Sequence, residues 1–228
     1  MASPIQRKAA IRKARQRAAR RRMYMLAGLA LLIIVGGIGV YLYVTGQSSN
    51  NPTSNPDIVY AKINTTKGLI EIELYQSKTP KTVTNFVNLA GQGFFDGLVF
   101  HRIGLSNPSI PPIIQTGDPY TRDQPNSTWG KGQGPTKVPL EPDPSLHNNA
   151  GYVAMARVGN DTNSGTSQFY INMGDNTSLD GQYTVFGRVI VGMDVATLIQ
   201  KVPTYYGSGQ PIDPSSVKMI SVTISNTA

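Results

Sequence analysis

One uncharged apolar segment near the amino terminus constrains this chain more than any other feature. Residues 23–44 (MYMLAGLALLIIVGGIGVYLYV) contain no charged side chain. Because an α-helix rises 1.5 Å per residue, a segment of this length crosses a hydrocarbon core of roughly 30 Å. Tyr24 at one end and Tyr41 and Tyr43 at the other suit the two membrane interfaces. The segment therefore predicts a single transmembrane helix in contact with the lipid bilayer.

The distribution of charge predicts the orientation of that helix. Residues 1–22 hold nine Lys and Arg and no acid, whereas the rest of the chain holds 12 basic and 13 acidic residues. Positive charge beside a membrane span favours the cytoplasmic side. We therefore expect a basic cytoplasmic tail and an extracytoplasmic domain in a single-pass protein of the cell membrane. A basic tail could also bind nucleic acid, but its position directly before the apolar segment favours the topology role, and no nucleic-acid partner is expected.

Two further points concern the predicted helix: the segment that follows it and the alternative that it is a cleaved signal peptide. Residues 45–57 (TGQSSNNPTSNPD) have the Ser, Asn and Pro content of a flexible linker. A cleaved signal peptide is the alternative to a permanent anchor, but its apolar region is usually about 7–15 residues long and ends in small residues. The length of 23–44 favours the uncleaved anchor.

The residue inventory limits the chemistry. There is no cysteine, which excludes thiolate nucleophiles, disulfides and cysteine-bound metals. The two histidines, His101 and His147, are too few for a multi-histidine metal site. We expect no metal and no cofactor.

Residues 58–226 show the pattern of a mainly β domain. Alternating apolar and polar residues over 58–65 and 69–75, with Thr66-Lys67-Gly68 between them, predict a β-hairpin. Six further short apolar runs predict more strands, bringing the total to about eight; they cover 98–103, 113–115, 152–157, 168–173, 184–190 and 217–224. With two helices, this pattern predicts a closed eight-stranded antiparallel β-barrel capped by the helices, preceded by the transmembrane helix.

Local signals place the two helices. In the first, Thr79 is a candidate N-cap, Pro80 suits the first turn and Gly91 ends the apolar periodicity. The second covers 193–201, and we expect its Val195, Leu198 and Ile199 to share the buried face.

Several short motifs in this domain resemble the cyclophilins, a family of peptidyl-prolyl cis-trans isomerases. The resemblance covers about residues 58–226, and its blocks follow the family's order. They are Phe100-His101-Arg102-Ile103, Ile114-Gln115-Thr116-Gly117-Asp118-Pro119, Ala154-Met155-Ala156-Arg157, Asn163 to Tyr170 (NSGTSQFY), Leu179-Asp180-Gly181 and Val185-Phe186-Gly187.

The resemblance implies an active site for proline-containing polypeptides. Arg102 takes the position of the catalytic arginine, and Gln115 would brace it. Tyr183 stands where its hydroxyl could reach a substrate carbonyl. The residue before proline would contact Gln168 and the backbone of Ala156 and Arg157. The socket for the proline ring would consist of Met155, Phe169 and Leu179, with Ile113 on the neighbouring strand.

The implied reaction suits a chain with little acid–base equipment. Rotation about an X–Pro bond breaks no covalent bond, and its barrier of about 18–20 kcal/mol is lost amide resonance. A fixed cation such as Arg102 can stabilise the twisted transition state. The interval between Arg102 and Gln115 is about five residues longer than is usual in the family. An isomerase that assists folding of extracytoplasmic proteins is therefore the first hypothesis, and a catalytically weak peptide-binding or chaperone module is the alternative.

Overall fold

The structure, a computed structural model, describes residues 57–104 and 111–227. The predicted basic tail, the predicted transmembrane helix and linker residues 45–56 lie outside these ranges. Within the described ranges, no helix combines the length and apolar character needed to cross a membrane.

Eight antiparallel strands form one sheet in the described part of the chain. They are β1 Ile58–Thr65, β2 Gly68–Tyr75, β3 Arg102–Ile103, β4 Ile113–Thr116, β5 Tyr152–Met155, β6 Phe169–Asn172, β7 Val185–Val191 and β8 Met219–Ser225. Their order across the sheet is β3-β4-β6-β5-β7-β2-β1-β8. The strand count agrees with the sequence prediction, and β3 and β8 are the edges of a curled half-barrel.

The segment before β3 differs from its prediction. A strand was expected over 98–103, but only Arg102–Ile103 pairs as one. Val99 forms an isolated bridge with Lys218, just before β8. No ladder joins β3 to β8 within residues 57–104 and 111–227, so a closed barrel is not shown.

The β1–β2 hairpin forms as the alternation predicts. Its register pairs Thr65 with Gly68, and the Thr65 hydroxyl donates to the Gly68 carbonyl at 2.7 Å. Gly68 has φ +134°, a conformation that side chains disfavour. A Cβ there would also lie 2.9 Å from Val195 of the second helix. The turn therefore needs glycine for both its backbone and its close packing.

The first helix, α1, covers Pro80–Gly91, with proline in its first turn as predicted. Thr79 takes the N-cap position as predicted, but its side chain makes no capping bond. Its hydroxyl donates instead to the Tyr75 carbonyl at 3.2 Å. The carboxylate of Glu141 accepts from Lys81 N at 3.0 Å and from Thr82 N at 2.8 Å. A distant loop therefore supplies the acceptor that the first turn of a helix requires.

The second helix, α2, covers Met193–Gln200 and corrects the predicted buried face. Ala196 and Ile199 are fully buried, whereas Leu198 is 52% exposed. At 100° per residue, Leu198 points about 160° away from Ala196, on the opposite side of the helix. The small side chain of Ala196, not the larger Leu198, marks the face that packs on the sheet.

A cluster of phenylalanines fills the concave side of the sheet. Phe86 of α1 stacks on Phe95 at 4.9 Å between ring centroids and meets the edge of Phe169 at 5.4 Å. Phe169 also lies edge-on to Phe186 at 6.4 Å. All four rings are at most 1% exposed. They fix the position of α1 against β6 and β7, and they leave the other face of β4 and β6 for the site.

Candidate active site

Three adjacent strands carry the predicted catalytic pair and the floor of the site. Arg102 on β3 lies opposite Gln115 on β4, and Gln115 lies opposite Tyr170 on β6. Side chains of residues paired across a sheet point to the same face. Arg102 is exposed and Gln115 is buried. The strand register therefore brings Arg102 and Gln115 together on the face opposite the phenylalanine cluster.

A chain of hydrogen bonds orients the Arg102 guanidinium. Its Nη1 donates to Gln115 Oε1 at 3.4 Å, a long bond. Gln115 Nε2 in turn donates to Gln168 Oε1 at 2.8 Å. Gln168 Nε2 donates to the Gly132 carbonyl at 2.7 Å and to the Gly130 carbonyl at 3.2 Å. Because the chain ends on backbone carbonyls, the orientation of both amides is set, and Gln115 presents its oxygen to the guanidinium.

A small cavity, here called the apolar cavity, lies beside Arg102. Its volume is about 150 Å³, and its walls bring together the polar groups of Arg102 and Gln115 with apolar surfaces of Ile113, Leu179 and two tyrosine rings. Those walls include two of the four predicted socket residues, Ile113 and Leu179, together with Tyr183. Its lining is completed by Ile113, Ala156, Arg157, Tyr170, Leu179 and Tyr183. The cavity is large enough for a pyrrolidine ring, which could pack on the apolar surfaces of Ile113, Leu179 and Tyr170.

A second, more polar cavity of about 310 Å³ adjoins the first and is here called the polar cavity. Arg102, Gln115, Ala156 and Arg157 line both cavities. Gln168 also lies in its wall. The remaining lining residues are His101, Trp129, Gly130, Gln133, Val158, Gly159, Ser164, Thr166, Ser208 and Gln210. A peptide whose proline fills the apolar cavity would place a neighbouring side chain here.

Two predicted socket residues lie in the core and not in the cavity wall. Phe169 is fully buried in the phenylalanine cluster, and Met155 is 5% exposed within the same core. Tyr170 takes the place that the sequence assigned to Phe169, because successive residues of β6 point to opposite faces. Sequence reasoning missed Tyr170. The alternation of side chains along the segment 168–173 was the available signal. Which of the alternate residues face the cavity, however, depends on how this strand pairs with its neighbours.

The Tyr170 ring is anchored through its hydroxyl. That hydroxyl donates to Asn148 Oδ1 at 2.9 Å, and Asn148 N donates to Asp180 Oδ1 at 2.7 Å. His147 Nδ1 lies 2.8 Å from Asp180 Oδ2. Burial raises the pKa of Tyr170 above its ordinary value. Burial opposes ionisation of Asp180, but hydrogen bonds from Asn148 and His147 outweigh it and lower the pKa of this carboxyl.

His101 stands next to Arg102 in the chain but is not placed to carry protons. It is 3% exposed, and burial lowers the pKa of its imidazole to about 4. The ring is therefore neutral at pH 7 and adds no charge beside the guanidinium.

The site offers a fixed cation, an apolar cavity and amide groups. It presents no nucleophile activated by a base. Among residues 57–104 and 111–227, no three His, Asp or Glu side chains are grouped so that they could hold a metal ion. This equipment suits a reaction that needs orientation and charge stabilisation without covalent steps.

Family comparison places this fold and site in a known class. The family described as cyclophilin type peptidyl-prolyl cis-trans isomerase/CLD matches residues 60–224. The chain belongs to this family of enzymes.

Individual relatives agree with that assignment. A peptidyl-prolyl cis-trans isomerase of Acinetobacter baylyi is 38% identical over 177 residues, which cover 73% of this chain and 87% of that protein. Peptidyl-prolyl cis-trans isomerase-like 3 of Homo sapiens is 37% identical over 163 residues, 70% of this chain and 93% of that one. The crystal structure of a Cryptosporidium parvum cyclophilin in the presence of the dipeptide Ala-Pro has a TM-score of 0.62 at 27% identity, covering 73% of this chain and 98% of that chain.

Proposed function

We propose that residues 58–226 catalyse cis–trans isomerisation of X–Pro bonds in polypeptides, with Arg102 as the group that stabilises the transition state. One observation carries the proposal. A guanidinium held by Gln115 stands at the wall of an apolar cavity with room for a proline ring. The solved relative that was crystallised in the presence of Ala-Pro supports the choice of substrate.

The chemistry follows from the electronic change during rotation. As the C–N bond twists, the proline nitrogen loses conjugation and gains a lone pair. A cationic donor aimed at that nitrogen binds the twisted state more strongly than the planar ground state, which lowers the barrier. The planar guanidinium of Arg102 presents several N–H donors in a fixed fork, so it can also hold a substrate carbonyl.

The other contacts would hold the peptide while the bond rotates. The ring would pack on Ile113, Leu179 and Tyr170, and Tyr183 could donate to a substrate carbonyl. Gln168 and the Ala156–Arg157 backbone would bind the residue before proline. The Ala156 N–H already donates to the Gln168 carbonyl at 2.9 Å, so it is not free to donate to a substrate.

The cellular role that we propose is assistance to proteins folding outside the cytoplasm. Residues 23–44 would anchor the chain in the membrane, residues 1–22 would stay in the cytoplasm, and the linker would tether the domain. The uncharged segment and the nine preceding basic residues support this arrangement. Uncatalysed prolyl isomerisation takes tens of seconds at 25 °C, so it limits the folding of many secreted chains.

A peptide-binding module without catalysis is the second candidate. The interval between Arg102 and Gln115, which is about five residues longer than is usual in the family, favours this candidate. In the same interval, Pro112 stands where the resemblance to the cyclophilins implies an aromatic ring beside the proline. A module of this kind would bind proline-containing peptides in the same two cavities and leave their isomerisation rate unchanged.

One experiment separates the two candidates. The whole chain in lipid nanodiscs is added at catalytic concentration to an Ala-Ala-Pro-Phe peptide, and NMR exchange spectroscopy measures the cis–trans rate. The same samples give the peptide affinity by titration. Acceleration of exchange supports the isomerase. Binding without acceleration supports the module, and neither binding nor acceleration by folded protein contradicts both.

A further inference from the structure

A second guanidinium lies between the two cavities, and the mechanism proposed above makes no use of its charge. Arg157 lines both the apolar and the polar cavity. Its Cζ lies 4.6 Å from the centroid of the Tyr183 ring, within cation–π distance. Tyr183 in turn meets the edge of the Tyr170 ring at 5.9 Å between centroids. The guanidinium therefore lies over the Tyr183 ring, which packs edge-on against Tyr170, and it does not extend freely into solvent.

This cation has no anionic partner among the described residues. The three ion pairs within residues 57–104 and 111–227 lie elsewhere: Lys62–Glu71, His147–Asp180 and Arg188–Glu73. The Nε atom of Arg157 is buried and makes no hydrogen bond to a described residue. A buried donor without a partner is costly in a folded protein. The structure thus leaves a donor of Arg157 unsatisfied at the wall of the cavities.

The charge of the surrounding walls has one sign. Arg102 and Arg157 line the polar cavity, and none of its lining side chains is acidic. His101, which also lines the polar cavity, is uncharged at pH 7, because burial lowers its pKa to about 4. Two cations facing a partly desolvated cavity attract an anion more strongly than they would in open water.

The polar cavity also offers neutral hydrogen-bonding groups that suit an oxyanion. Gln133, Ser208 and Gln210 lie in its wall together with Arg157. The volume of about 310 Å³ accommodates a side chain of the size of glutamate. An arginine fork matches a carboxylate or a phosphate with two parallel hydrogen bonds.

We propose that Arg157 determines specificity, so that this site prefers substrates with an anionic side chain one or two residues before the proline. The inference rests on the proposed isomerase function and adds the class of substrate. The anion is a carboxylate of Glu or Asp, or the phosphate of a phosphorylated Ser. Because the preference acts through binding, it should appear mainly as a lower KM for the anionic peptides. It should weaken as the salt concentration rises, because salt screens the charges.

The test compares matched peptides on the whole chain. Ala-Glu-Pro-Phe is paired with Ala-Gln-Pro-Phe, Glu-Ala-Pro-Phe with Gln-Ala-Pro-Phe, and Ala-phosphoserine-Pro-Phe with Ala-Ser-Pro-Phe. We expect kcat/KM to be about fivefold higher for the anionic member of at least one pair at low salt, which corresponds to about 1 kcal/mol. The Glu and phosphoserine pairs distinguish the two sources of the anion.

Three variants assign the preference to Arg157. Arg157→Gln should bring the ratio of kcat/KM for the anionic peptide to kcat/KM for the neutral peptide to about one. Arg157→Lys keeps the positive charge but loses the paired N–H donors of the guanidinium, so it should retain part of the preference for the anionic peptide. Lys201→Gln removes the same charge from an exposed position outside both cavities and should leave the ratio unchanged. Thermal unfolding of each variant checks that the domain is folded.

The outcomes separate this inference from the proposed function. Equal kcat/KM for every pair in the parent, or an equal loss on both members of a pair in Arg157→Gln, overturns the inference and leaves the isomerase intact. If no peptide is isomerised, the isomerase fails, and the affinities of the same pairs from NMR titration still decide whether Arg157 selects anions.

Discussion

The catalytic role proposed for Arg102 requires neighbours that fix the direction of its guanidinium. A surface arginine in water samples many rotamers, and ordering it during the reaction would cost free energy. Here Gln115 is buried beneath it, and Gln168 locks the amide of Gln115 through a bond of 2.8 Å. The site is therefore preorganised by side chains that need not touch the reacting bond.

Replacement of Gln115 tests this preorganisation. Gln115→Leu keeps the volume of the side chain and removes both hydrogen bonds of its amide. We expect kcat for an Ala-Ala-Pro-Phe peptide to fall about tenfold, because a misdirected cation stabilises the transition state less. NMR exchange gives the rate. An effect smaller than twofold in a folded variant would show that Arg102 needs no brace.

Burial of His101 predicts a pH dependence of stability. Its folded pKa is about 4, against an ordinary value of 6.5. Between these values the unfolded chain binds a proton that the folded chain does not, so this group makes stability fall as pH falls from 6.5 towards 4. The slope from this residue reaches about 1.4 kcal/mol per pH unit. The slope is about half of this maximum at pH 6.5 and vanishes by about pH 8, where the unfolded imidazole has lost its proton.

Urea unfolding at several pH values measures this contribution. Compared with the parent, His101→Gln should show a shallower decline of the free energy of unfolding between pH 6.5 and 4, and no difference in slope above about pH 8. Parallel curves over the whole range would mean that the imidazole titrates alike in the folded and unfolded chain.

At the residue scale, the sequence could place the site but not the direction of every side chain. The motifs located Arg102 and Gln115, and the structure sets them side by side. Phe169 and Tyr170 are both aromatic neighbours on one strand, and nothing in their own types says which faces the cavity. That choice depends on the pairing of β6 with β4 and β5, which is a long-range property.

At the scale of elements, local patterns were sufficient where the partners are adjacent in the chain. The hairpin of β1 and β2 joins neighbouring segments, and its predicted bounds agree with the structure to within one residue. The segment 98–103 was predicted too long because its pairing depends on β4 and on the residues before β8. The N-cap position of α1 was predicted correctly, but the side chain that accepts from its first turn was not, because Glu141 lies 59 residues beyond Thr82 in the chain.

The Glu141 contact gives a prediction for α1. Glu141→Ala removes the acceptor for two backbone N–H groups and for the Thr82 hydroxyl, which donates at 2.7 Å. We expect the free energy of unfolding to fall by about 1–2 kcal/mol, as for loss of an N-cap. Glu141→Gln keeps one acceptor oxygen and should lose less. Urea unfolding measures both, and equal stability of Glu141→Ala and the parent would contradict the capping role.

At the scale of the whole molecule, the chain combines an almost neutral domain with a strongly basic tail. Apart from residues 1–22, it carries 12 basic and 13 acidic residues. The positive charge therefore belongs to the predicted membrane topology and not to the substrate surface. The two arginines of the cavities are a local exception, and their effect is confined by screening to about 10 Å at ordinary salt.

The absence of cysteine makes the topology directly measurable. Ser3→Cys and Ser54→Cys each introduce the chain's one thiol, on opposite sides of residues 23–44. In intact cells that produce the whole chain, a membrane-impermeant maleimide should label Ser54→Cys and should label Ser3→Cys only after permeabilisation. Labelling of Ser3→Cys in intact cells would contradict the orientation. Loss of residue 3 from the mature protein would favour the cleaved signal.

The central claim is that the Arg102 guanidinium lowers the barrier to X–Pro rotation, and the most direct measurement is the NMR exchange rate of an Ala-Ala-Pro-Phe peptide with Arg102→Ala. Arg188→Ala is the matched control, because Arg188 pairs with Glu73 outside both cavities. The account predicts a fall in catalysed rate of tenfold or more for Arg102→Ala, with the control close to the parent. A folded Arg102→Ala variant that isomerises the peptide as fast as the parent would contradict it.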